Sequence, residues 1–195
     1  MSVQRVDPAV WPILQPSIFW GANAMTDGND KPKFQIFRVR DAKSLEEEGN
    51  MSLQEFTPEQ MTGIASLYDP ELARGDEVKV LFNIPGFNLS HVWFKKNYPL
   101  PRHSHDCDCL YYIIAGSLRL GTEELGPRDG FFISANVPYT YTPGPEGVEL
   151  LEFRHATAFD FKLLVQGEAF WVRAADTARA NSADWRTATM PPLNV

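Results

Sequence analysis

Between residues 77 and 165 the chain is a succession of short apolar or alternating runs, each closed by turn-forming residues, and this punctuation restricts the architecture severely. Eight runs read as strands: 78–84, 90–96, 109–115, 117–121, 130–134, 139–142, 148–155 and 159–165. Each is long enough for a strand and too short for a typical helix. The breaks fall at Pro85-Gly86, residues 97–101, Gly116, Gly126-Pro127, residues 136–138 and the Pro143, Gly144, Pro145, Gly147 cluster, where backbone freedom or a missing N–H interrupts regular pairing. Many short, evenly spaced strands predict an all-β barrel or two-sheet sandwich, with Gly116 as a hairpin turn.

Upstream, residues 33–40 alternate and predict a strand, and the charged residues 41–50 predict a loop or a short exposed helix. Thr57-Pro58-Glu59-Gln60 is a helix start: a hydroxyl cap, a proline in the first turn and acidic charge at the amino end. That helix is expected to run to Tyr68, stop before Pro70, and bury Met61, Ile64, Ala65 and Tyr68. Residues 1–30 are too aromatic for a free tail and predict an arm laid over the domain or over a partner subunit; a homodimer is the expected assembly. A short helix is expected over 174–180. The expected organisation is therefore an arm, strand and helix over 1–76, a barrel over 77–172 and a C-terminal extension over 173–195.

With 195 residues and a net charge of −7, the chain has one domain's length and no basic footprint for nucleic acid. No apolar run is long enough to span a bilayer, so no membrane partner and a cytoplasmic location are expected. The two cysteines, Cys107 and Cys109, stand too close along a strand to bridge, which fits free thiols in a reducing compartment.

The chemistry is concentrated in residues 102–116, Arg-His-Ser-His-Asp-Cys-Asp-Cys-Leu-Tyr-Tyr-Ile-Ile-Ala-Gly. In an extended chain His103, His105, Cys107, Cys109 and Tyr111 share a face, and Ile113 continues it. The face reads as a site at one end and core at the other. Histidines two apart on a strand can reach one cation, and a thiolate at position 109 suits zinc, copper or iron. On 149–155 the same parity groups His155 with Leu151 and Phe153, so an inward imidazole there is a further candidate. The aromatic residues Trp93, Phe94, Phe131, Phe132, Tyr141 and Phe153 read as core or as the wall of an apolar pocket.

The 102–116 pattern resembles the first motif of the cupin family: a glycine, two histidines one residue apart, a glutamate and a closing glycine. His103, His105 and Gly116 match; Asn97 stands at the first glycine and Cys109 at the glutamate. Residues 128–143 resemble the second motif with more changes: Arg128 at its first glycine, Ser134 at its proline, Asn136 at the turn glycine, Tyr139 at its histidine and Pro143 at its asparagine. Asn tolerates the left-handed backbone that such a turn needs.

The resemblance implies a cupin-like double-stranded β-helix, or jelly-roll, barrel with an N-terminal arm and one short helix. It implies a divalent metal on His103 and His105, with Cys109, Tyr139 or His155 completing the site; iron is preferred, with zinc, nickel, copper or manganese as alternatives. Tyr111 and Tyr139 are the candidate acid–base residues. The implied function is a metal-dependent enzyme acting on a small organic molecule, a dioxygenase by preference. The alternatives are a non-oxidative lyase or isomerase, and a non-catalytic small-molecule binding or sensing protein with a degenerate metal site.

Overall fold

The computed structural model describes residues 31–165 and 167–193. Residues Ile36–Val195 form one compact unit; the arm expected over 1–30 lies outside the described residues. In chain order the elements are β1 (Lys43–Ser44), α1 (Leu45–Glu48), β2 (Met51–Leu53), α2 (Pro58–Leu67), β3 (Asp76–Ile84), β4 (Phe87–Phe94), β5 (His103–Ser104), β6 (Cys109–Leu120), β7 (Glu123–Leu125), β8 (Gly130–Ile133), β9 (Thr142–Arg154), β10 (Phe159–Leu163) and α3 (Glu168–Thr187).

Two sheets form. The larger has seven strands in the order β1-β3-β4-β9-β6-β7, with β8 pairing to the first half of β6; the smaller is β2-β10-β5. All pairings are antiparallel except β2 with β10. The all-β expectation and its cupin-like, jelly-roll form hold.

Register fixes what the larger sheet turns inward. Ser90, Glu152, Tyr111 and Phe131 form one row across β4, β9, β6 and β8, flanked by a row of Asn88, Arg154, Cys109 and Ile133. On the other side of the first row come Val92, Leu150 and Ile113, all nearly inaccessible. The inner face is thus polar at one end and apolar at the other, as the alternation in 103–113 predicts.

Several boundaries differ from the sequence reading. β6 is one strand of 12 residues, not two joined by a hairpin. Gly116, at φ 70°, makes a bulge where the register shifts against β9, and a Cβ there would lie 2.2 Å from the Gly147 carbonyl oxygen. β9 begins at Thr142 and runs through the Pro143–Gly147 cluster. The prolines are tolerated because that half of β9 pairs only with β6, and β4 joins from Val148 onward. Residues 139–141 lie outside any strand; Tyr139 makes an isolated bridge to His103. No strand forms over 33–40, and Val39–Asp41 is a 3-10 turn.

Helix α2 has the expected cap, with the Thr57 side chain on the Gln60 N–H and the Gln60 side chain on the Thr57 N–H. Its buried residues are Gln60, Gly63, Ile64 and Leu67, a face rotated from the expected one, and Met61 is exposed. The cause is α3, a helix of 20 residues where a short one was expected. Its buried stripe of Trp171, Ala174, Ala175, Ala178, Ser182 and Trp185 has helical spacing. A Cβ on Gly63 would sit 2.0 Å from the Trp171 ring, so only glycine lets the helices approach this closely.

Asn97, compared with a glycine of the first motif, and Arg128 and Asn136, compared with glycines of the second, have φ of 61°, 77° and 63° and are the positive-φ non-glycine residues among those described. The chain keeps the left-handed turns while replacing the residue that makes them easy.

Candidate active site

His103 lies on β5 and His105 just beyond it, held to β10 by the pairing of His103 with Leu163. The His103 N–H donates to the Tyr139 carbonyl at 3.0 Å and the Tyr139 N–H returns the bond at 2.9 Å. Both imidazoles are buried, with ring centroids 5.1 Å apart. Phe161 stacks on His103 at 4.8 Å, and Phe159 meets His105 edge-on at 5.3 Å.

Each ring has its Nδ1 on a backbone carbonyl: His103 on Pro101 O at 2.7 Å and His105 on Asp160 O at 2.5 Å. A carbonyl only accepts, so each Nδ1 carries the proton and each Nε2 keeps its lone pair. Burial pushes both imidazoles down to about 4, assisted at His103 by the neighbouring His105 and at His105 by the Arg154 cation. Both are neutral at physiological pH.

Tyr139 and Tyr111 are hydrogen-bonded to each other through their hydroxyls, linking the His103 segment to β6. The Tyr139 ring centroid is 4.4 Å from that of His103, and Tyr111 stacks on Phe131 at 4.3 Å. Burial raises both phenols well above their ordinary value, with the Glu152 carboxylate adding to it. They are proton-bearing groups rather than phenolates. Cys109 is buried beside them, and burial pushes its thiol up to about 12.

Glu152 and Arg154, absent from the sequence reading, complete the interior. Arg154 Nη2 donates to Glu152 Oε2 at 2.5 Å, and the guanidinium lies 4.1 Å from the Phe159 ring centroid. The available signal was the Glu-x-Arg spacing, which puts opposite charges on one strand face. That spacing is masked because the face carrying Leu151, Phe153 and His155 has as many apolar residues. Register settles the parity: Val148, Leu150, Glu152 and Arg154 point inward. His155 is consequently exposed, near Gly86 in the β3–β4 turn, and is no part of the site. His91 lies on the opposite face of β4 from Ser90 and bonds Glu149 at 2.7 Å. Phe132 is exposed, on the outer face, rather than lining a pocket.

The structure brings His103, His105, Cys109, Tyr111 and Tyr139 into one interior. The two imidazoles present unprotonated nitrogens, burial favours the protonated thiol and phenols, and a buried cation, Arg154, is the cross-strand neighbour of Cys109; a bound ion would itself favour the thiolate. Among the described residues no three or more His, Cys, Asp or Glu side chains are grouped to hold an ion. A surface cleft of about 300 Å³, bordered by Trp93, Lys95, Glu146, Trp185, Met190 and Pro191, contains none of these groups. No helix among the described residues is long and apolar enough to cross a membrane.

Fold and interior together define a cupin-like β-barrel with a buried two-histidine site. Among solved structures, the chain is similar to a polyketide cyclase from Streptomyces resistomycificus, with 17% identity over 74% of this chain and 98% of that one and a TM-score of 0.49. It is similar to an RmlC-like cupin from Shewanella frigidimarina, with 20% identity over 41% and 75% of the respective chains and a TM-score of 0.38. It is also similar to the salicylate 1,2-dioxygenase of Pseudoaminobacter salicylatoxidans, with 14% identity over 47% and 30% and a TM-score of 0.40. These likenesses assign no activity. No protein-family model and no curated protein sequence matches the chain.

Proposed function

We propose that the protein is an enzyme that moves protons on a small organic molecule in the barrel interior, in non-oxidative lyase or isomerase chemistry. The observation that carries this is the pair of backbone-bound Nδ1–H groups, which leaves both Nε2 lone pairs unprotonated beside a pair of protonated phenols. His103 Nε2 takes the proton, Tyr139 supplies one to the leaving or rearranging group, and Tyr111 supports Tyr139 through their shared hydrogen bond. Burial of all four keeps the exchange away from bulk water.

The test is carbon-bound hydrogen exchange. The protein, treated with chelator, is incubated in D2O with 3-oxo and 3-hydroxy acids and their neutral esters, and deuterium incorporation is followed by NMR. Incorporation that falls at least a hundredfold in His103→Asn supports the reading; turnover that appears only with added metal and oxygen contradicts it.

A metal-dependent oxygenase at the same site is the second reading. Metal-bound histidines commonly have the ring nitrogen away from the ion engaged by a carbonyl, as both are here. His103 and His105 would hold a divalent ion, iron by preference, which would supply Lewis-acid or dioxygen chemistry.

A further inference from the structure

The buried polar atoms without a partner include Nε and Nη1 of Arg154. This is a permanently charged side chain on a residue only 3% exposed, inside the candidate active site, with most of its N–H groups unanswered. Buried donors on a charged group are costly to leave unpaired, so such donors ordinarily face an acceptor. Glu152 answers one nitrogen and neutralises the charge. The rest of the guanidinium is pressed against Phe159, whose ring also meets His105. Phe159 therefore lies against both the cation and His105, and Arg154 acts on His105 and Cys109 through its charge.

Resting on the acid–base reading of this interior, we infer that Arg154 is the anchor for the carboxylate of a monoanionic organic acid, held with its adjoining carbon toward His103 and His105. A carboxylate supplies the planar acceptors that a guanidinium matches. With Glu152 present a monoanion already sets two negative charges against one cation, and a phosphate dianion would set three, so the lower charge is favoured. The walls of Phe131, Phe159 and Phe161 favour an organic body over an inorganic anion.

The experiment is calorimetric titration of the full chain with acetate, phenylacetate and benzoate, each against its amide. At least one acid is expected to bind thirtyfold or more tighter than its amide. Arg154→Lys, which keeps charge but loses the planar fork, is expected to weaken that acid at least tenfold. Glu152→Gln frees the remaining donors, so the same acid is expected to bind more tightly and to raise the variant's melting temperature more than that of the unaltered protein. Equal binding of acid and amide, no binding of any acid, or unchanged affinity in a folded Arg154→Lys overturns the inference. If Arg154→Lys does not fold, the acid–amide difference and Glu152→Gln decide. Preferential binding of acids without hydrogen exchange removes the catalytic reading and leaves the anchor; exchange on esters as readily as on acids removes the anchor and leaves the catalysis.

Discussion

Acidification should unfold this protein through its two interior histidines. Each has an ordinary value of 6.5 and is held at about 4 in the fold, chiefly by burial. The unfolded chain therefore binds these protons first. The stability associated with keeping the rings neutral is complete above pH 6.5 and is lost as pH falls towards 4. Between pH 7.5 and pH 5, a shift of this size corresponds to a loss of about 2 kcal/mol for one ring and at most about 4 for both. The assay is urea denaturation across that window for the unaltered protein and for His103→Asn/His105→Asn. Asparagine can still donate an N–H near Pro101 and Asp160 but has no proton to gain. The unaltered protein should lose about 2 to 4 kcal/mol more than the double variant, the other acidic groups cancelling in the comparison. Equal losses would refute the placement of neutral imidazoles in the interior.

Glu152→Gln leaves the Arg154 cation buried without its counter-charge and should cost about 3 kcal/mol by urea denaturation. Tyr139→Phe removes the proton held beside His103 and leaves the buried Tyr111 hydroxyl without its partner; it should reduce the rate of hydrogen exchange by about a hundredfold or more and cost about 1–3 kcal/mol of stability. Gly63→Ala drives a methyl into the Trp171 ring and should cost about 2 kcal/mol, visible as a lower urea midpoint. Arg128→Gly, at an exposed residue with φ 77°, relieves left-handed strain and should leave stability unchanged or raise it by up to about 1 kcal/mol; a clear loss would contradict the backbone assignment.

The inward face of 103–113 was legible because period-two alternation is a local property of an extended chain, and the chain is extended there. The start of α2 was legible because capping is a matter of four adjacent residues. Asn136 could be read as a left-handed turn because its side-chain chemistry tolerates that backbone. Long-range features were harder to read. A glycine at φ 70° serves a bulge as well as a hairpin, and only the partner strand decides which. The two faces of β9 are equally apolar, so its parity, and with it Arg154 and the exclusion of His155, depends on pairing with β6. The length of α3 was hidden because half of its buried stripe is alanine, which signals helix without signalling burial.

The account rests most on the protonation of two rings, and long-range nitrogen-15 NMR of the histidine side chains reads it directly. At pH 6.5 the predicted spectrum shows His103 and His105 neutral, protonated on Nδ1 with Nε2 bare, and neither titrating until pH approaches 4. Protonation on Nε2, or titration near 6.5, would contradict it.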